Sequence, residues 1–170
     1  MPRYAFCFSM LLMCLTPVMA DDETVVKVGD VAPLFKTLTT DGQVFDLAAH
    51  KGKPVVVAFI SSVSRSSNSI LPLLEQEIWW LYSKKGLILI GIGREDKAID
   101  LAQFKKDEEL TFFLGEDPRR DIFNLYASSV LPRCYLIDPT GKVVFSTVGY
   151  DEAEFDKMKK LIDEMLVAPK

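Results

Sequence analysis

The side chains with the greatest capacity for chemistry in this 170-residue chain lie in one serine-rich stretch. Residues 64–67 read Ser-Arg-Ser-Ser and separate an apolar run from a helical pattern. A serine hydroxyl becomes a nucleophile only when a general base lies within hydrogen-bond reach and a third group orients that base. His50, the only histidine, precedes the apolar run, so we expect it at the far end of a strand, roughly 20 Å away. The pattern therefore disfavours a serine hydrolase.

Two other roles remain open for these residues. Serine side chains accept hydrogen bonds from the free N–H groups that begin a helix, so Ser64, Ser66 and Ser67 can be helix caps. Alternatively, the same hydroxyls and Arg65 can hold a phosphate, a carboxylate or a peptide backbone. The junction between a strand and a helix favours such a site, because α/β folds bind ligands at the carboxyl ends of their strands.

Two buried strands and a helix must position this stretch. Residues 54–60 read Pro-Val-Val-Val-Ala-Phe-Ile and predict a buried strand, and residues 87–92 predict a second strand parallel to it. Apolar residues at helical spacing predict a helix over 70–82, which Pro72 should kink or mark as the end of a first turn. Residues 61–69 are then the loop before this helix.

The rest of the chain predicts a mixed sheet with helices on both faces. Asp41-Gly42 between two short alternating runs predicts an N-terminal β-hairpin. Asp117 is expected to cap a following helix that has Pro118 in its first turn. The remaining predicted elements are the hairpin strands 34–37 and 43–47, the strands 111–114, 134–137 and 142–148, and the helices 98–104, 119–126 and 151–166.

The first twenty residues have the layout of a cleaved secretory signal, with Arg3 before an apolar run and cleavage expected after Ala20. The sequence thus predicts a signal peptide at 1–20, a single domain at 21–170 and a periplasmic location. Cys14 offers an alternative as a lipidation site, which would anchor the protein to a membrane. The net charge of −4, made more negative by the loss of Arg3, argues against nucleic acid as a partner.

Removal of residues 1–20 leaves Cys134 as the only cysteine, so no internal disulfide is expected. One cysteine and one distant histidine also make a poor metal site, and we expect neither metal nor cofactor. By strand alternation Cys134 lies on the same face as Pro132, toward the serine-rich stretch. It is either a relocated reactive thiol or a small buried apolar residue.

Several segments resemble exported thioredoxin-like proteins of the TlpA and ResA type. They are Val-Gly-Asp-Val-Ala-Pro at 28–33, Lys-Gly-Lys-Pro at 51–54 before the apolar run, and Leu-Pro at 131–132 followed by Cys-Tyr-Leu-Ile-Asp-Pro-Thr-Gly-Lys. The resemblance spans about residues 28–166. It implies a thioredoxin-like α/β fold, a central mixed sheet flanked by helices with an N-terminal hairpin. It also implies that Pro132 is a cis-proline facing the active site.

The departures from this family concern its catalytic residues. A Cys-x-x-Cys motif opens the family's helix after the central strand, and the matching residues here are Ser64 and Ser67. A hydroxyl cannot form the mixed disulfide that thiol–disulfide exchange requires. Either the chain is a natural member without the cysteines, or both cysteines were replaced by serine. Differences at Val63 and Ile70, where relatives carry an aromatic residue and sometimes a glutamate, favour the first explanation.

We therefore expect a redox-inactive accessory module that holds a peptide or protein partner in the exported compartment. The alternative is a thiol:disulfide oxidoreductase, or a peroxiredoxin-like reductase, whose cysteines were substituted in this chain. The predicted site comprises the catalytic positions Ser64, Ser67 and Pro132 and the binding candidates Arg65, Ser66, Leu131 and Cys134.

Overall fold

A computed structural model describes residues 24–167, and its β-strands form two sheets. The smaller sheet confirms the predicted N-terminal hairpin. The larger sheet has the order β5-β4-β3-β6-β7, with β3 parallel to β4, β4 parallel to β5, and β6 antiparallel to β3 and β7. The strands are β1 (Lys36–Leu38) and β2 (Val44–Asp46) in the hairpin, and β3 (Val55–Ile60), β4 (Ile88–Arg94), β5 (Phe113–Asp117), β6 (Arg133–Ile137) and β7 (Val143–Val148) in the central sheet.

Helices flank this sheet, and the last of them, Glu152–Val167, lies within one residue of its predicted bounds. A 3₁₀ turn, Leu47–His50, follows the hairpin, where the Asp46 carboxylate accepts a hydrogen bond from the Ala48 N–H. The α-helices are α1 (Arg65–Leu73), α2 (Trp80–Tyr82), α3 (Ala98–Asp107), α4 (Phe123–Tyr126) and α5 (Glu152–Val167).

The helix after β3 differs from the prediction in two ways. It begins at Arg65 rather than at residue 70, so most of the serine-rich stretch is helical. Pro72 lies inside α1 and does not end it, since the chain continues into a π-helical segment, Leu74–Trp79, and then into α2. The prediction of a loop over 61–69 is therefore wrong beyond Ser64. The first turn lacks apolar residues, so the periodicity of the sequence could not detect it.

A buried carboxylate holds the π-helical segment against the start of β5. Glu75 accepts hydrogen bonds from the Thr111 N–H (2.8 Å), the Thr111 hydroxyl and the Trp80 indole N–H (2.7 Å). Burying a charge is costly unless its lone pairs are satisfied, and three donors meet that need here. Glu75 therefore ties the helical layer to the edge of the sheet.

Two apolar clusters cover the two faces of the central sheet. The first joins β3, β4 and β6 to α1, the π-helical segment and α5, through residues such as Ile70, Leu74 and Met158. The second joins the opposite face to the N-terminal segment and α4, through residues such as Phe35, Phe123 and Tyr126. All six residues of β3 are buried, as a strand covered on both faces requires. The predicted thioredoxin-like fold, with helices on both faces of a mixed sheet, is confirmed.

The predicted helix over 119–126 is shorter than expected. Asp117 belongs to β5, and its buried carboxylate accepts the N–H groups of Ile122 (3.1 Å) and Phe123 (2.8 Å). Burial raises the pKa of this carboxyl, and the two backbone donors oppose that shift. Asp117 thus caps a helix that begins at Phe123, and Pro118 lies in the turn before it rather than in its first turn.

Candidate functional site at the carboxyl end of β3

The predicted catalytic positions lie where β3 passes into α1. Ser64 has the extended backbone of an N-cap residue, and its hydroxyl accepts the Ser67 N–H at 3.5 Å. The Ser64 carbonyl accepts the Asn68 N–H at 3.0 Å. The role of Ser64 as a helix cap is therefore confirmed, and its side chain stays half-buried at the helix start.

Ser67 is fully buried, unlike its neighbours on the same helical turn. Its hydroxyl accepts the Ser61 N–H at 3.2 Å and so holds the end of β3 against α1. An accessible nucleophile needs an exposed oxygen, and this one is committed to a backbone donor. Ser67 is thus a structural group in the geometry seen here.

Ser66 connects the helix start to the loop before β6. Its hydroxyl lies 2.9 Å from the Ser64 hydroxyl and donates to the Leu131 carbonyl at 3.3 Å. The Leu131–Pro132 peptide bond is cis, and the buried Pro132 offers its carbonyl to the Gly149 N–H at 2.8 Å. The fold thus brings together residues that are 65 positions apart in the chain.

Two groups that the sequence reasoning missed hold the loops around this site. The Asp96 carboxylate, which follows β4, accepts the Ser62 N–H at 2.9 Å and the Ser62 hydroxyl at 2.6 Å. The buried Arg133 guanidinium donates to the carbonyl groups of Ser129 (2.8 Å) and Val130 (3.2 Å). The sequence offered a signal for Asp96, because polar residues that follow a predicted strand often lie at a functional site. It offered none for Arg133, which belongs to a strand.

Exposed apolar side chains lie on the loops around the site. Val63 is 89% exposed, and Val130 and Tyr150 are also exposed, on the loops that adjoin Ser64, Leu131 and β7. Arg65 is exposed on the first turn of α1. Exposed large apolar side chains are typical of an interaction surface when they form a contiguous patch.

Cys134 does not belong to this surface. It lies in β6 on the face that α1 covers, as strand alternation predicts, but it is 0% exposed and sits in the first apolar cluster. Burial raises its pKa to about 12. The interpretation as a small buried apolar residue is confirmed, and the candidate binding role of Cys134 is wrong, because burial withholds the thiol from any ligand.

His50 lies apart from the serines, as expected. It ends the 3₁₀ turn before β3 and stacks on the Phe45 ring at 4.6 Å, while the serines follow the other end of β3. Partial burial and the nearby Lys53 charge lower its pKa. Within residues 24–167, no group of three or more His, Cys, Asp and Glu side chains could hold a metal ion.

Comparison with known proteins assigns this chain to a family. The model of the AhpC/TSA family matches residues 28–146, which include β3, the start of α1 and the Leu131–Pro132 bond. The chain belongs to the AhpC/TSA family.

Within the AhpC/TSA family, the relatives of this chain carry thiol–disulfide names. It is 28% identical to a "Thiol-disulfide oxidoreductase ResA" of Bacillus cereus over 133 residues, 78% of this chain and 76% of the relative. A solution structure of a proposed protein disulfide isomerase from Bacteroides thetaiotaomicron is 34% identical, with a TM-score of 0.82 over 86% of this chain and 94% of that one. A proposed thiol:disulfide interchange protein DsbE from Chlorobium tepidum is 26% identical, with a TM-score of 0.75 over 83% and 99%. This chain is thus a thioredoxin-fold member similar to thiol–disulfide oxidoreductases.

The predicted signal peptide and Cys14 lie outside the described residues. Of the helices between residues 24 and 167, none combines the length and the apolar composition that a membrane crossing requires.

Proposed function

We propose that this protein is a redox-inactive thioredoxin-like module that holds a peptide or protein partner beside the Leu131–Pro132 bond. The observation that carries the proposal is the chemistry of the helix start, where Ser64 and Ser67 occupy the positions that the family resemblance assigns to cysteines. Both hydroxyls accept backbone N–H groups. Disulfide exchange needs a thiolate that attacks sulfur, and an alcohol cannot replace it.

The surface beside these serines supports a binding role. The exposed side chains of Val63 and Val130 directly precede Ser64 and the half-buried Leu131 in the chain, and they would lose apolar area to a partner. Arg65 adds a cation on the first turn of α1, suited to a carbonyl or a carboxylate of the partner. The proposed ligand is therefore an extended segment with apolar side chains.

We place the action of this exported protein in the periplasm. This part of the proposal rests on the layout of residues 1–20 and on the resemblance to exported relatives. The partner would be a protein or peptide of that compartment, with a membrane involved only if Cys14 is lipidated.

A turnover assay tests the redox part of the proposal. The unmodified protein should not accelerate the reduction of insulin by dithiothreitol, and Cys134→Ser should behave identically because that thiol is buried. Acceleration by the unmodified protein above the rate of dithiothreitol alone would contradict redox inactivity.

A binding assay tests the partner surface separately. Reduced and alkylated insulin B chain is a suitable extended probe, since it carries no thiol and many apolar side chains. Amide chemical shifts of the labelled protein should change at Leu131 and at the start of α1. Val63→Asp with Val130→Asp should abolish those changes, whereas Leu81→Asp, an exposed apolar site on another helix, should not. Shift changes elsewhere, or none at all, would contradict the surface.

A second candidate function is a thiol:disulfide oxidoreductase whose two cysteines were replaced in this chain. It is favoured by the retained frame, which comprises the capped helix start and the cis bond at Pro132. The variant Ser64→Cys with Ser67→Cys distinguishes the two. Efficient insulin reduction by this variant supports recent replacement, and an inactive but folded variant supports a natural member that lost the rest of the active site.

A further inference from the structure

A second concave site lies at the opposite end of β3 from the serines. It is a cavity of about 270 Å³ between the N-terminal segment, the 3₁₀ turn 47–50 and the turn after β6. The paired strand residues Val55 and Ile137 line it, as do Leu34 and Leu47. The six residues of β3 separate it from the candidate functional site by roughly 20 Å.

Backbone hydrogen bonds fix the walls of this cavity on three sides. The Ala32 N–H donates to the Gly141 carbonyl (2.9 Å), the Gly52 N–H to the Pro139 carbonyl (3.0 Å) and the Leu47 N–H to the Phe35 carbonyl (3.1 Å). A cavity whose walls are already held needs little reorganisation when it binds a ligand. The concavity is thus pre-formed.

The apolar lining continues onto the protein surface. Val31 is 71% exposed and Leu34 is 67% exposed, and both line the cavity. Exposed aliphatic side chains that adjoin an apolar cavity offer one continuous surface to a hydrocarbon chain. Burying that surface would be favourable in proportion to the apolar area removed from water.

Two ammonium groups lie at the same cavity. Lys51 and Lys53 both line it and are exposed, and neither forms an ion pair with another residue of the described range 24–167. The Asp138 carboxylate also lies in the lining, but one of its oxygens accepts the Thr140 N–H, the Thr140 hydroxyl and the Lys142 N–H. The cavity lining therefore carries two ammonium groups without ion pairs among the described residues and one carboxylate, that of Asp138, which already accepts hydrogen bonds from its own turn. The lining thus has a net positive charge.

We propose that this cavity binds a free straight-chain monocarboxylate, with the alkyl chain against Leu34, Leu47, Val55 and Ile137 and the carboxylate at Lys51 and Lys53. The volume corresponds to about nine liquid-phase waters, which suits an alkyl chain of roughly ten carbon atoms. This site is independent of the partner surface at the serines, so either can fail alone.

Titration of the full-length protein with sodium decanoate, followed by calorimetry, tests the site. We expect saturable binding with one ligand per chain. Across hexanoate, octanoate and decanoate, Kd should fall about fourfold for each added methylene until the cavity is filled. Nonyltrimethylammonium, which has the same alkyl chain as decanoate and the opposite charge, should bind at least about tenfold more weakly.

Charge reversal locates the head group. Lys51→Glu with Lys53→Glu should raise the Kd for decanoate at least about tenfold. The matched control is Lys84→Glu with Lys160→Glu, two exposed lysines outside the lining, which changes net charge equally and should leave Kd unchanged. Amide shifts induced by decanoate should map to residues 31–34 and 47–55.

Four results would overturn the proposal. They are the absence of saturable binding, an unchanged Kd in the Lys51/Lys53 variant, shift changes that map to the start of α1 instead, and co-sedimentation with phosphatidylglycerol vesicles without decanoate binding. The last result would assign this face to a membrane rather than to a free carboxylate.

Discussion

Alkylation of Cys134 measures directly whether the described part of this chain holds a usable thiol. The thiolate is the species that iodoacetamide attacks, so the rate depends on the pKa and on access. At about pH 8 a thiol with the ordinary pKa of 9.0 is about one-tenth thiolate, whereas a pKa of about 12 leaves about one thiolate in ten thousand. The folded protein should therefore react at least about a thousandfold more slowly than the unfolded chain.

Peptide-resolved mass spectrometry provides the assay. The protein is exposed to iodoacetamide with and without concentrated urea, and the modified fraction of the Cys134 peptide is followed with time. This readout separates Cys134 from Cys7 and Cys14, which lie in the predicted signal peptide. Ser69→Cys places a thiol on the exposed face of α1 and should react quickly in the folded protein, which shows that the reagent is active.

A native rate for Cys134 within tenfold of the urea rate would refute this reasoning. That result would mean that β6 opens readily or that the thiol faces solvent. It would reinstate Cys134 as a candidate redox residue and would remove one support of the proposed inactivity.

Two further predictions concern buried polar groups that hold the helix after β3. Ser67→Ala leaves a backbone N–H at the end of β3 without its acceptor and should lower the free energy of unfolding in urea by about 1–3 kcal/mol. The control Ser69→Ala should lower it by less than about 0.5 kcal/mol. Equal losses in the two variants would contradict the role of Ser67 in holding β3 against α1. Glu75→Ala removes the acceptor of three hydrogen bonds, including that of the Trp80 indole, and should cost about 2–4 kcal/mol. Glu75→Ala should also change Trp80 fluorescence. The control Gln76→Ala should change neither the free energy of unfolding nor the fluorescence. An unchanged free energy of unfolding in Glu75→Ala would show that the carboxylate does not stabilise the fold.

The hydroxyls of Ser64 and Ser67 illustrate how a chain can keep the capped helix start after a strand and lack the thiols that redox chemistry needs there. A helix start of this kind lowers the pKa of a cysteine because its free N–H groups stabilise the thiolate. Here one of those free N–H groups, that of Ser67, donates to the neutral hydroxyl of Ser64. The arrangement stabilises the helix, and we propose that it leaves the neighbouring loop available for a partner.

Local patterns in the sequence were sufficient for most of the sheet. The apolar run of β3 predicts a strand covered on both faces, and Asp41-Gly42 predicts the hairpin of β1 and β2, because each depends on neighbouring residues alone. The family resemblance, carried by short motifs, supplied the thioredoxin-like fold and the expectation that Pro132 is a cis-proline.

Tertiary structure decided the start of the helix and the contents of both sites. After Arg65, the first turn of α1 consists of serines and Asn68, which have modest helix propensity, and it forms because Ser64 caps it and Ser67 is anchored to the end of β3. The contact between Ser66 and Leu131 and the cavity between Val31 and Gly141 join parts of the chain that are far apart in sequence. Periodicity and composition report which residues are apolar, whereas these contacts depend on how the whole sheet brings distant loops together.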